Sequence, residues 1–367
     1  MIELPRRSAM TRIESLVVLG ITGLAVGVFL VGVVKVREAS ARAHCQCNLK
    51  GIGLAAHNYA SANKYLPAGW LGPFPTTTTE ATPQTRMQAI SCLCLLLPFI
   101  EQQQLYAQFV ASAPAKDYFE VNAVYPAWYN LPAGPSGNSM QSLAAIQIPT
   151  FLCPSDVAHW RKNGCILWQW GPISAAENGV PQNFHIDTSN QSADLGRTNY
   201  TGIGGLDQNF YQKDQPNAKT EPGSIWAKFD GIMTNRSHLT LEDITAADGT
   251  ANTMMFGEIL GDSDGSTAQQ VGYSLSWMCG SYPVYSGLPT GDLPYPDGGA
   301  KCYWAFGSRH ANVVMFQMGD GAVRQVRKGV PPFDTKNYLV PENPKCMFGY
   351  YAGWHEGLFL DPAFIGN

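Results

Sequence analysis

The stretch MTRIESLVVLGITGLAVGVFLVGVVKVREASARAHCQCNLKGIGLAAHNY, residues 10–59, decides how the whole chain is read. Between Ser15 and Val34 it carries no charged residue. At about 1.5 Å of rise per residue, a helix over that run crosses the roughly 30 Å of a bilayer's hydrocarbon. One carboxylate, Glu14, stands at its entrance. Drawn to the centre of a membrane, such a group costs about 2.5–3.5 kcal/mol on insertion scales, so it calls for a cationic partner. A cut between Ala9 and Met10 would supply one. The new α-ammonium at Met10 can meet the Glu14 carboxylate of a neighbouring copy at low dielectric and set the register of packed helices.

Past the span, Cys45, Leu49, Ile52, Ala56 and Tyr59 recur at steps of four and three, one stripe of a continuing helix. This stripe is predicted to face a globular body, with Arg42 and Lys50 in water. The predicted rod of about 50 residues is about 75 Å long, half in a membrane or filament core and half docked. Gly23 and Gly27 make a small-xxx-small pair through which helices can approach closely, although glycine is also simply frequent in membrane helices.

A short basic leader (residues 1–9, with Arg6 and Arg7), a cut, an acid at the fifth position after it and an apolar helix together resemble the type IV prepilin pattern. Ala9 stands where that pattern usually has glycine, and Arg12 where it usually has an apolar residue. A secretory signal cut near Ala41 and Ala43 is one alternative, but an ordinary signal core is about 7–15 residues and Lys35, Arg37 and Glu38 intervene. An uncleaved anchor is another, and Arg6-Arg7 as a twin-arginine signal a weaker one. Cationic residues flank the span on both sides, so the orientation with the N-terminus inside rests on the prepilin resemblance.

The full chain has 367 residues, which leaves about 300 beyond the anchor, enough for one large core or two smaller ones. Only 14% of residues are charged and the net charge is −4, which excludes an electrostatic footprint for nucleic acid. With 37 Gly, 25 Pro, 9 Trp and 16 Tyr, the body suits short strands and long loops better than a helical bundle. The nine cysteines are an odd number whose connectivity sequence cannot give, though some pairs should be oxidised if the body is exported.

Leu66-Pro67 and Pro73–Thr79 read as an exit loop, followed by a second helix over Ala89–Phe109 with Pro98 as a turn or kink. From about residue 115, short apolar runs between turn signals predict strands at Ile146–Cys153, Ser224–Phe229, Met254–Ile259 and Val271–Trp277. The clearest local signal is a hairpin: Asn312–Met318, a two-residue turn at Asp320-Gly321, and a return strand over Ala322–Val326. The expected class is α+β, a long N-terminal hydrophobic helix (10–60) docked on a large, mostly antiparallel domain with long loops (61–367).

Several short motifs, spread along nearly the whole chain, then line up. They are Arg37-Glu38, Cys45, Asn48-Leu49-Lys50 and His57-Asn58-Tyr59, then Leu97 to Gln102, Phe151-Leu152-Cys153-Pro154-Ser155-Asp156 and Thr198-Asn199-Tyr200. Asp248 to Thr253, Gly257-Glu258 and Ser308-Arg309-His310 follow, the last with Asp320-Gly321 after nine further residues. In number and order they resemble the bacterial pilin-like proteins grouped as domain of unknown function 1559. The resemblance implies a subunit of a type IV pilus-like or type II secretion-like assembly with no established enzymatic activity. Its implied partners are other copies of the chain, related pilin-like subunits, a prepilin peptidase, an inner-membrane assembly platform and membrane lipid. It also implies a periplasmic or surface-exposed body. Val31 stands where many such helices have proline, which implies a straighter rod.

The chemistry in the chain points the same way. His310 and Asp320 are separated by about 33 Å of extended strand, so they are read as a hydrogen-bonding residue and a turn former, not a catalytic pair. His44, Cys45 and Cys47 with Cys92 and Cys94 could hold zinc if their segments met, but neither C-x-C has the usual spacing and disulfides or buried thiols are expected instead. Calcium in the Gly261-Asp262-Ser263-Asp264-Gly265 turn is the one cofactor kept in view. No nucleophile elbow, zincin helix or phosphate loop is present, so no catalytic residue is nominated. The other two classes to weigh against a filament subunit are a single-span surface protein binding polymer or carbohydrate and an anchored hydrolase.

Overall fold

In the computed structural model, residues 12–63 form one helix, α1 (Arg12–Asn63, 52 residues). The structure describes residues 11–72, 87–133, 139–156, 165–170, 183–187, 195–205, 230–260, 274–278, 306–310, 312–329 and 365–366, with Gly280, Leu288 and Ala352. Thr11 starts α1 through a capping box. Its hydroxyl accepts from the Glu14 N–H at 3.3 Å, and its own N–H donates to Glu14 Oε2 at 2.8 Å. The helix stops at Lys64, which takes the left-handed conformation (φ 72°) and donates its N–H to the Ala60 carbonyl at 2.7 Å.

The two halves of α1 meet different surroundings, as the pattern predicts. Ile13, Leu16, Leu19, Leu24, Phe29 and Val34 are all exposed, so the described body covers none of them. Cys45, Leu49, Ile52, Ala55 and Ala56 are fully buried and Tyr59 is half-buried, with Lys50 exposed and Arg42 half-exposed. Burying a Leu or Ile stabilises by about 1.5–3 kcal/mol, so this stripe alone seats the helix on the body.

The body follows in chain order as β1 (Trp70–Leu71), β2 (Ile90–Ser91), α2 (Cys92–Leu95), α3 (Gln103–Ser112), α4 (Met140–Ala144), β3 (Cys165–Trp170), β4 (Asn183–Asp187), β5 (Arg197–Thr198), β6 (Tyr200–Gly202), α5 (Leu241–Ala246), β7 (Met254–Glu258), β8 (Ser274–Ser276), β9 (Val313–Met318), β10 (Val323–Arg327) and β11 (Ile365–Gly366). The largest described sheet has five strands in the order β11-β10-β9-β7-β6, every pair antiparallel. A second, β4-β3-β8-β5, is antiparallel except where β3 runs parallel to β8, and β1 pairs with β2. The docked half of α1 lies against β7, β9 and β10. The fold is α+β and sheet-rich, as expected.

Three local expectations are corrected. Residues 89–109 do not form one kinked helix: Ile90–Ser91 is a strand, α2 is a short helix capped by Ser91, and a tight 3-10 turn over Leu97–Phe99 precedes α3. Pro98 removes a helical N–H and Glu101 is left-handed (φ 64°), which breaks the helix. The apolar run Ile146–Cys153 is not a strand, because Pro149 opens a 3-10 turn over Pro149–Phe151. The terminal hairpin is present, but Val323 faces Gln317 and the Met318 N–H donates the closing bond to the Ala322 carbonyl, so the loop is Gly319-Asp320-Gly321. Gly321 donates to the Met318 carbonyl at 3.0 Å and is left-handed (φ 87°), a type I turn followed by a glycine bulge. Of the other expected strands, β7 and β8 realise Met254–Ile259 and the C-terminal part of Val271–Trp277. Ser224–Phe229, the calcium candidate Asp262 to Asp264 and the leader with Ala9 and Met10 lie outside the described residues.

Candidate functional site

The motifs that are scattered in sequence converge where α1 meets the body. Cys45 of α1 is disulfide-bonded to Cys153, 108 residues away, with Cα atoms 5.4 Å apart. Cys153 is presented by a tight turn in which Pro154 takes the second position and the Asp156 N–H closes back on the Cys153 carbonyl at 3.0 Å. One turn of α1 further along, Asn48 donates to the Leu152 carbonyl at 3.0 Å and to the Tyr200 hydroxyl at 3.4 Å. Asn199, leading into β6, is the hub behind them. Its Oδ1 accepts from the Cys153 N–H at 2.9 Å, and its Nδ2 donates to Asp156 Oδ2 at 2.6 Å and to the Ile259 carbonyl at 3.2 Å.

His310 closes the junction. Its ring is fully buried, with Nδ1 3.0 Å from Glu38 Oε1 on α1 and Nε2 3.5 Å from Glu258 Oε1 at the end of β7. The same Nε2 is 3.6 Å from Cys153 Sγ. Glu258 Oε2 accepts the Met315 N–H of β9 at 2.8 Å, while its buried Oε1 has no hydrogen-bond donor among the described residues. Gly257 permits this approach: a Cβ there would lie 2.6 Å from the Phe316 ring and 2.8 Å from that of Phe306. Arg309 Nε stands 3.6 Å from Asp156 Oδ1, and Arg42 Nη2 is 3.6 Å from Glu38 Oε1.

The electrostatics follow from burial and pairing. Burial pulls His310 down, but its contacts with Glu258 and then Glu38 outweigh that and hold it above the ordinary value of 6.5. Desolvation pushes Glu38 up, but the His310 hydrogen bond and the charges of His310 and Arg42 outweigh it, so its carboxyl lies below the ordinary 4.5. A raised histidine contributes stability that is complete below its unfolded value and lost as pH rises through its folded one. A depressed carboxylate contributes stability that is complete above its unfolded value and lost as pH falls through its folded one. The disulfide-bonded chain should therefore hold the helix on the body best between about pH 4.5 and 6.5. Hydrogen exchange at residues 38–50 is expected to speed up as pH rises above that window, after correction for intrinsic rates, and His310→Gln should abolish the pH dependence.

A second convergence lies at the other end of the docked half. The Asp248–Thr253 turn accepts two N–H bonds from the hairpin tip, Gly319 to the Thr253 carbonyl at 2.8 Å and Asp320 to the Thr250 carbonyl at 3.0 Å. His57 Nε2 of α1 is 3.8 Å from where a Cβ on Gly321 would be. Asp320 therefore shapes the tip, its Oδ1 accepting from the Ala322 N–H at 2.8 Å, with the whole of β9 between it and His310. Tyr59 meets Phe99 edge-on with ring centroids 5.8 Å apart.

Of the residues singled out in the sequence, Cys153, Pro154, Asp156 and His310 belong to the junction, and Asp320 and Gly321 to the tip. Glu14, Gly23 and Gly27 lie on the exposed half of α1, with open space within 4 Å of a Cβ on either glycine. Of the two C-x-C pairs, Cys45 is in a disulfide and Cys92 and Cys94 are buried thiols in α2, the states expected for them, while Cys47 is exposed. Glu38 and Glu258, quoted in the sequence only within the Arg37-Glu38 and Gly257-Glu258 motifs, are junction residues to which the sequence assigned no role. The signal was present in both, an acid just past an apolar span and an acid closing the apolar strand MMFGE.

The sequence model of one protein family, described as "Protein of unknown function (DUF1559)", matches residues 34–332, which takes in every junction residue and leaves out the exposed half of α1. No curated protein and no solved structure shows significant similarity to the chain.

Proposed function

The chain belongs to the DUF1559 family, and from that premise we propose that it is a structural subunit of a type IV pilus-like filament or type II secretion pseudopilus, anchored and assembled through α1. The observation that carries this reading is the division of α1. About 30 Å of continuous helix, residues 15–34, carries no charge and is not covered by the described body, while the part from Glu38 onward is locked to the body by a disulfide, an ion-pair cluster and a buried stripe. Contiguous apolar surface of this extent is not left in water. In the bilayer lipid covers it, and in a filament the same surface is covered by the α1 helices of neighbouring copies.

On this reading the globular part is periplasmic before assembly and surface-exposed after it, and its role is structural and not catalytic. A prepilin peptidase removes residues 1–9, leaving the Met10 ammonium for the Glu14 carboxylate of an adjoining copy. Gly23 and Gly27, open on the exposed half, supply close helix contacts. Related pilin-like subunits and an inner-membrane assembly platform are its partners. The test is the mass of the N-terminal peptide from membranes of cells making the full chain. A terminus at Met10 is expected; a terminus near Ala43, with the span lost, would overturn the reading.

A further inference from the structure

The junction brings four metal-ligating side chains together from four separate segments. Cys45 Sγ, Cys153 Sγ, a Glu258 carboxylate oxygen and a His310 ring nitrogen all lie within 4.8 Å of one another, and all four residues are buried. A tetrahedral zinc ion with bonds of about 2.0–2.3 Å has ligand-to-ligand edges of about 3.3–3.8 Å. The observed separations from His310 Nε2, 3.6 Å to Cys153 Sγ and 3.5 Å to Glu258 Oε1, are of that length. Glu258 Oε1 is buried with the long 3.5 Å contact to His310 Nε2 and no closer hydrogen bond among the described residues, which leaves a carboxylate oxygen weakly satisfied.

The surroundings are also those a metal site requires. Glu38 Oε1 stands 3.0 Å from His310 Nδ1, which leaves Nε2 to coordinate, in the carboxylate–histidine order that orients imidazole ligands. Glu258 is held through its other oxygen by the Met315 N–H. Two thiolates, one imidazole and one carboxylate form a borderline-soft donor set that suits zinc better than calcium or magnesium.

We propose that, when its thiols are reduced, the chain binds one zinc ion through Cys45, Cys153, Glu258 and His310, so that helix and body are joined by a metal in the reduced chain and by a disulfide in the oxidised one. The conversion balances with a phosphine as reductant. Phosphine, water and the Cys45–Cys153 bond give phosphine oxide and two thiols, and zinc then displaces the two thiol protons to solvent. Zinc and disulfide are mutually exclusive because they use the same two sulfurs. The site does not depend on filament assembly, so it can fail or stand while the proposed function does the opposite.

The experiment uses the full chain in detergent, reduced with a phosphine without oxygen, loaded with zinc chloride and dialysed, with bound metal measured per chain. One zinc per reduced chain is expected, with none retained by the oxidised chain. The Cys45→Ser/Cys153→Ser double variant, which keeps the other seven of the nine cysteines, is expected to lose that zinc. Cobalt in place of zinc should show thiolate-to-metal absorption in the wild type and not in the double variant. Glu38→Gln, a conservative change at a half-exposed side chain, should weaken affinity about 10–100-fold with an unchanged circular dichroism spectrum. Equal zinc in the reduced and oxidised chains, full zinc in the double variant, or unaltered affinity in Glu38→Gln would each overturn the assignment.

Discussion

Glu14→Gln chains are expected to be inserted and folded but missing from surface filaments, with incorporation reduced about 100-fold or more in competition with wild type. An acid that meets a neighbouring ammonium at low dielectric loses that partner when neutralised. A difference of about 2.5–3.5 kcal/mol corresponds to roughly two orders of magnitude in an equilibrium. Glutamine is the informative replacement because Glu14 has a second role that composition did not disclose, the capping box with Thr11. Glutamine can serve in a capping box and alanine cannot, so Glu14→Ala loses about 1 kcal/mol of helix stability as well as the charge. Quantifying both variants against wild type in sheared surface material separates the two roles. Wild-type incorporation of Glu14→Gln together with failure of Glu14→Ala would assign Glu14 to capping alone.

Arg236→Ala should have the largest effect on stability, lowering the unfolding free energy by about 3–5 kcal/mol. The Arg236 side chain is buried and its guanidinium donates to four backbone or side-chain acceptors: the Gly72 carbonyl at 2.7 Å, the Ala123 carbonyl at 3.1 Å, the Val121 carbonyl and Gln88 Oε1. Burial lowers its pKa to about 9, which reflects how little water it keeps. Gln88 extends the network, its Nε2 donating to the carbonyls of Tyr118 at 3.2 Å, Glu120 at 3.3 Å and Ala123 at 2.9 Å. Removing the guanidinium takes a donor from the carbonyls of Gly72, Val121 and Ala123, the last two in a region, residues 113–127, that has no helix or strand of its own. Denaturant unfolding of the full chain in detergent, followed by tryptophan fluorescence, measures the loss. Arg236→Lys should recover less than half of it, because a point charge cannot replace a planar fork. Wild-type stability in the alanine variant would contradict the role given to the network.

What was legible in the sequence had a period. The long helix and its docked stripe follow from apolar spacing, and the β9–β10 hairpin from alternation around Asp320-Gly321. Even there the turn type was misjudged, since the choice between two and three loop residues depends on which pair closes the ladder. The run Ile146–Cys153 looked like a strand because its apolar content matched one, but Pro149 cannot donate to a ladder and the chain turns instead. The Arg236 network was not visible at all. A buried arginine that satisfies carbonyls on loops 113 or more residues away leaves no local pattern. The junction lay between these cases. Cys45, Cys153 and His310 stood out as residues, but pairing over a separation of 108 is a property of the fold, and spacing cannot supply it. Glu38 and Glu258 acquire meaning only once α1, β7 and the segment before β9 are brought together around one imidazole.

The central claim is that the uncovered half of α1 is buried against other copies of the chain. Electron microscopy of sheared surface material, with the chain located by an antibody to its globular part, tests it most directly. Antibody-decorated helical filaments whose core contains residues 12–34 are expected. Finding the chain only as isolated single-span molecules in the membrane, under conditions in which it is fully processed and folded, would contradict it.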